Sequence, residues 1–214
     1  MNTNLKIDGK LLKIFEILFN IYGEVPCPLN HNSPFQLLVA VMLSAQCTDK
    51  KVNSITPCLF KNYPNSKKMS QADISKIENI IHSIGLFRTK AKNLVNSAKI
   101  ITKSFNGKVP QTMHELLILP GVGRKTANVV LGNAFDLEGF PVDTHVKRLL
   151  NRLGIVSTDS PEKIEYFINQ HLPSKYWKDF SHLLITHGRA CCKAQKPNCS
   201  ECKLTSFCNH LKIT

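Results

Sequence analysis

Residues 117–130 read Leu-Ile-Leu-Pro-Gly-Val-Gly-Arg-Lys-Thr-Ala-Asn-Val-Val, an apolar helix end joined to a second helix through Pro120-Gly121-Val122-Gly123. Two glycines so close together allow a tight hairpin whose backbone can approach a ligand. Amides in the first turn of the second helix have no partner within that helix and suit a phosphate oxygen. Arg124 and Lys125 add positive charge at the same point. A second group of reactive residues closes the chain as Cys192-x6-Cys199-x2-Cys202-x5-Cys208. Four thiols in 17 positions suit a metal. Zinc sites commonly use two close pairs, whereas this spacing holds one Cys-x2-Cys, and a [4Fe–4S] cube is the alternative. Cys27, Cys47, Cys58 and Cys191 lie outside that set.

The charge balance names a class of partner. The chain of 214 residues carries 28 Lys and Arg against 15 Asp and Glu, a formal net charge of +13. Such an excess suits a polyanion, nucleic acid before membrane. It is concentrated between residues 88 and 125, where Arg88, Lys90, Lys92, Lys99, Lys103, Lys108, Arg124 and Lys125 face one acid, Glu115. With 43% hydrophobic residues the composition is that of a globular protein and excludes a disordered one. No apolar run is long enough to span a membrane. Residues 1–6 lack the apolar core of a secretory signal, so reduced thiols and a metal are expected rather than disulfides.

These groups need a scaffold, and the pattern is helical almost throughout. Residues 11–22 form a helix with a wide apolar face that Gly23 ends. Residues 34–43 are apolar nearly all round, as a helix central to a core would be. Asp49 is expected to cap the next helix, and Pro57 to end or kink it. Further helices are predicted at 71–83, 88–104, 111–119, 124–133, 144–153, 161–171 and 175–187. Ser160-Pro161 reads as a cap followed by Pro in the first helical position, and Gly154 as a stop. No stretch shows period-two alternation, and the segment from Cys191 reads as loop held by metal.

The hairpin resembles a helix-hairpin-helix phosphate-binding motif. Together with Val142-Asp143-Thr144-His145 and the four-Cys tail, it resembles the endonuclease III family, base excision DNA glycosylases with lyase activity. The likeness runs from about Ser33-Pro34-Phe35 to Cys208 and takes in Ser44-Ala45-Gln46-Cys47-Thr48-Asp49 and Ile84-Gly85-Leu86-Phe87-Arg88-Thr89-Lys90-Ala91. It implies that Lys125 is the nucleophile, Asp143 its acidic partner, and Cys192, Cys199, Cys202 and Cys208 the ligands of a [4Fe–4S] cluster. It also implies that Gly121, Val122, Gly123 and Arg124 contact DNA, and that Gln46 and Leu86 fill the space left by an extruded base. Lysine attacks only as the neutral amine, the form that a neighbouring cation and the positive end of a helix favour. Asp143 stands where a helix cap is expected. A Gln can hydrogen-bond an orphaned base, and a Leu beside Gly85 offers an apolar wedge. His145 is read as structural or supportive, and Cys191 is given no role.

The expected fold is all-α, two helical lobes with a DNA groove between them. A helical barrel over residues 27–137 would carry the hairpin, and residues 1–26 with 138–214 would form the cluster lobe. The expected enzyme is a bifunctional DNA N-glycosylase and abasic-site lyase that removes oxidised pyrimidines from duplex DNA and cuts 3′ to the abasic site by β-elimination. It is expected to be a monomer at the nucleoid of the bacterial cytoplasm, with no membrane partner. Two rivals fit less well. A mispair-specific adenine glycosylase would need a catalytic Glu where Ala40 stands, and a non-catalytic DNA-binding protein would release no base.

Overall fold

The computed structural model describes residues 3–210, and every regular element among them is helical, as the sequence pattern predicts. The chain divides into two compact units, one of residues Cys27–Leu137 and one that combines the segments before and after it.

The first unit is organised by α2 (Pro34–Ser44). Ser33 caps it, accepting from the Gln36 amide at 3.2 Å, and Pro34 starts it where no amide bond is lost. Phe35 and residues 37–43 are all buried, so this helix has no solvent face and fills the centre of its core. Around it run α3 (Asp49–Asn62), α4 (Ser66–Ser70), α5 (Ile74–Ile81), α6 (Phe87–Ser104), α7 (Met113–Leu117) and α8 (Arg124–Ala134). Helices α3, α6 and α8 pack directly on α2. Leu38, 1% exposed, is fully embedded there. Leu38→Ala is expected to lower the unfolding free energy by about 2–5 kcal/mol in a urea titration, through lost apolar burial and the cavity left behind.

Three expectations are corrected locally. Thr48, not Asp49, caps α3, accepting from the Lys51 amide at 3.3 Å, and Asp49 sits in the first turn where an acid suits the helix dipole. Pro57 does not end α3, which continues to Asn62. Its ring is exposed, so the carbonyl that loses its amide partner is at the solvent side. The helix predicted at 71–83 is the shorter α5, which the Asp73 carboxylate starts at Ile74 by taking the Ser75 amide at 3.0 Å, and α4 lies before the predicted span.

The second unit holds α1 (Thr3–Tyr22), α9 (Thr144–Arg152), α10 (Pro161–His171) and α11 (Trp177–Ala190), the last entered through a single 3₁₀ turn at Ser174–Tyr176. Leu11, Ile14 and Leu18 form the buried stripe of α1, against a core that includes Phe140, Leu150, Phe180 and Leu184. Helix α1 begins earlier than Leu11, and Gly23 ends it at φ +65°. Ser160 and Pro161 start α10 as expected. Gly154, at φ +61°, terminates the α9 region. A β-carbon there would run into Asn209, whose amide docks on the Arg152 carbonyl at 2.8 Å. Beyond α11 the described residues have only two further 3₁₀ turns, Cys199–Glu201 and Thr205–Phe207. No helix among the described residues is long and apolar enough to cross a membrane.

Candidate functional site

The glycine-rich segment forms a hairpin between α7 and α8. The Val122 amide donates to the Leu119 carbonyl at 3.0 Å, and both side chains are buried. Gly121 adopts φ +81°, and a β-carbon on it would meet the side chain of Asn93 on α6 at 2.6–3.1 Å. Only glycine satisfies both the left-handed backbone and this close approach. Ser97, one turn further along α6, donates its hydroxyl to the Pro120 carbonyl at 2.8 Å. Gly123 is the N-cap of α8 and brings no side-chain acceptor to the first-turn amides. Gly121, Gly123, Arg124 and Lys125 are exposed. Val122 is not: its side chain is core and its amide is used in the hairpin, so it shapes the turn rather than presenting a group outward.

Gln46 and Leu86 share an unusual backbone. Gln46 has φ +55° and Leu86 φ +59°, the left-handed region that costs a side-chain-bearing residue about 1–2 kcal/mol. Gln46 lies in the turn after α2, closed by the Cys47 amide on the Ser44 carbonyl at 3.0 Å, and is exposed. Leu86 is the N-cap of α6 and is 62% exposed, a large apolar side chain held in water. Lys90, grouped with the surface bases by its charge, is buried at 7% exposure. Its ammonium donates to the Leu43 carbonyl at 2.9 Å and the Ala45 carbonyl at 2.6 Å, and burial lowers its pKa from the ordinary lysine value. The other seven bases between residues 88 and 125 are exposed.

In the second unit Asp143 caps α9, accepting from the Val146 amide at 2.8 Å. His145 packs on Gly188 of α11, where a β-carbon would lie 2.9 Å from the imidazole Nδ1. Burial lowers the His145 pKa, and Arg148 donates to its Nδ1 at 3.2 Å, which requires the neutral ring.

Cys192, Cys199, Cys202 and Cys208 line one small cavity with Arg152 and His210. Two arginines of α9 fasten the loop that carries them. Arg148 donates to the carbonyls of Gly188 at 3.0 Å and Cys192 at 2.8 Å. Arg152 donates to the Lys193 and Ala194 carbonyls at 2.7 and 3.0 Å, and its guanidinium lies 3.3 Å from the Cys192 sulfur. Cys191 also lines the cavity, and its ligand atom, with those of His187 and Cys202, falls within a span of 4.8 Å. Burial and the neighbouring thiols push Cys191 up to about 11, and it donates to the Asn198 carbonyl at 3.2 Å. Sequence spacing gave no sign of His187. Burial keeps this ring neutral at ordinary pH; Nδ1 lies 2.9 Å from the Tyr22 hydroxyl and Nε2 lies 3.5 Å from the Cys202 sulfur. Converging soft donors with a cation beside them fit a metal centre, and the loop has little apolar surface of its own to hold it otherwise.

A model of the HhH-GPD superfamily of base excision DNA repair proteins matches residues 39–174. An endonuclease III from Synechocystis is 50% identical over 197 residues, which cover 92% of this chain and 90% of that protein. The endonuclease III of Bacillus subtilis is 44% identical over 88% of this chain and 87% of its own. The chain belongs to the endonuclease III family. A structure of a trapped covalent endonuclease III–DNA intermediate superposes with a TM-score of 0.91 at 39% identity, covering 100% of this chain and 99% of that one. A non-covalent endonuclease III–DNA complex superposes at 0.90, also at 39% identity.

Membership makes the chain a base excision repair enzyme, a DNA glycosylase and abasic-site lyase whose partner is DNA. The cysteine cavity is consistent with a metal cofactor in this endonuclease III family member. Of the residues singled out from the sequence, Gln46, Leu86 and the hairpin through Lys125 lie in the Cys27–Leu137 unit. Asp143 and the cysteines lie in the other.

Proposed function

We propose that the enzyme removes oxidised pyrimidines from duplex DNA with Lys125 as its nucleophile. The observation that carries this is an exposed lysine in the first turn of α8, immediately after the glycine hairpin, in a chain 39–50% identical to endonucleases III. The hairpin backbone grips a phosphate beside the lesion. The damaged base leaves the stack, Gln46 faces the orphaned partner, and Leu86 fills the gap. The neutral Lys125 amine attacks C1′ of the deoxyribose, and the bond to the base breaks with its electron pair going to the base. The sugar ring opens to give a Schiff base between C1′ and Nζ. Loss of a C2′ proton then expels the 3′ phosphate and cuts the strand, and water releases the lysine. The Asp143 carboxylate stabilises positive charge on the sugar as the base departs.

Incubation with duplexes carrying an oxidised pyrimidine, or adenine in a mispair, tests the substrate. Strand cleavage of the first and none of the second is the expected result. Base release from the mispair without cleavage would put the adenine-glycosylase reading in its place.

Binding should depend steeply on salt, because seven bases between residues 88 and 125 are exposed to solvent. With about four to six contacts, log K should fall against log salt with a slope of about −4 to −5. A flat dependence in fluorescence anisotropy would remove this surface as the footprint.

Cys192, Cys199, Cys202 and Cys208 would hold a [4Fe–4S] cluster, whose contribution is to cross-link a loop that lacks a core. Cys199→Ser should abolish visible absorbance, iron and acid-labile sulfide, and lower the thermal midpoint. Stoichiometric zinc without sulfide in the native protein would overturn the cluster.

A further inference from the structure

One stripe of α6 reaches both left-handed turns and the glycine hairpin. Leu86 caps the helix, Lys90 reaches the end of α2, Asn93 packs on Gly121, and Ser97 holds Pro120. The spacing 86, 90, 93, 97 is one face of a helix. Lys90 is the unusual member. Its backbone amide donates to the Leu86 carbonyl at 3.0 Å, so it closes the first turn behind Leu86. Its side chain donates to the carbonyls of Leu43 and Ala45, which flank the end of α2 just before Gln46. Helix α2 has no basic residue in its own last turn, and a cation there satisfies orphan carbonyls and the negative end of the dipole. A single residue therefore grips both left-handed turns, one through its main chain and one through its side chain.

We propose that Lys90 is a positioning residue for base extrusion, clamping the Gln46 and Leu86 turns together so that both side chains enter the duplex as one preset pair. This rests on the reading that Gln46 and Leu86 are the inserted residues. Left-handed backbone is unfavourable at a Gln and a Leu, so neither turn holds its shape by local preference. The Lys90 bonds supply the missing constraint, and burial of the ammonium excludes water as a competing donor.

A mutant cycle tests the clamp, with single-turnover excision of an oxidised pyrimidine from duplex DNA as the readout. Lys90→Met keeps length and loses the donors. It should slow excision by about 30-fold in the native background and by less than about 3-fold in the Gln46→Ala/Leu86→Ala background, since coupled residues are not additive. Affinity for undamaged duplex should change by less than about twofold, because Lys90 is buried. Equal losses in the two backgrounds would show ordinary support of the fold and overturn the clamp, as would an undiminished rate in Lys90→Met. A Gln46→Ala/Leu86→Ala variant as fast as the native enzyme would sink the insertion reading, and the clamp with it. A slow double variant with an additive Lys90 effect would sink the clamp alone. Should circular dichroism show Lys90→Met unfolded, Lys90→Leu, which also lacks a donor, takes its place with the same expectations.

Discussion

Lys125→Gln is expected to bind lesion-bearing duplex DNA about as well as the native protein while giving no borohydride-trapped adduct. Strand cleavage should fall by at least about 1,000-fold, as when a covalent nucleophile is removed. Lys125 is one of seven exposed bases on its segment, so binding keeps most of its electrostatic drive without it. The glycine hairpin would hold phosphate through main-chain groups that the substitution does not touch. Only the covalent step requires a primary amine at this point. Reduction of the Schiff base joins Nζ to C1′ irreversibly, so the adduct counts productive attack directly. A lysine that merely contacted phosphate would behave in the opposite way, with weaker binding and an adduct still obtainable at saturating enzyme. An adduct recovered from Lys125→Gln would transfer the nucleophile to another amine.

The hairpin was legible because its chemistry is local. Two glycines, a proline and the following bases define a turn whose shape follows from sterics alone, and the structure places that turn where the pattern puts it. The caps at Ser160 and Asp143 were legible for the same reason. What escaped were effects decided by distant partners. Lys90 reads as surface charge, yet it lies on the buried period of α6 with Leu94, Ser97, Ala98 and Ile101. That periodicity was the available signal, and what overrode the preference of lysine for water was a pair of carbonyls more than 40 residues earlier. Val122 was grouped with the groups that meet DNA, but an apolar residue between two glycines has a core to fill. His187 meets Cys191 and Cys202 only because α11 ends beside the cysteine loop, which no spacing rule encodes. Pro57 survives inside α3 because its ring is exposed, a property of packing and not of the dipeptide.

Asp143→Asn is expected to leave the thermal midpoint unchanged and to slow base release by about 100-fold or more, in the range seen when one stabilising group is lost from a charged transition state. Asp143 caps α9 through a 2.8 Å bond from the Val146 amide, so a simple truncation would confuse two effects. Ala at an N-cap costs about 0.5–2 kcal/mol, whereas Asn caps a helix as well as Asp does. The amide keeps the oxygen that accepts from Val146 and discards the negative charge. Stability and activity are thereby separated: the helix start persists, and only the interaction with positive charge developing on the deoxyribose disappears. Affinity for lesion DNA should hold or rise slightly, because a carboxylate near the phosphates repels them. Thermal melting, anisotropy and single-turnover kinetics on the same preparation decide the matter. A lowered midpoint with rates restored at lower temperature would make Asp143 a cap and nothing more. An intact fold with a slow chemical step would give the carboxylate its part in the reaction.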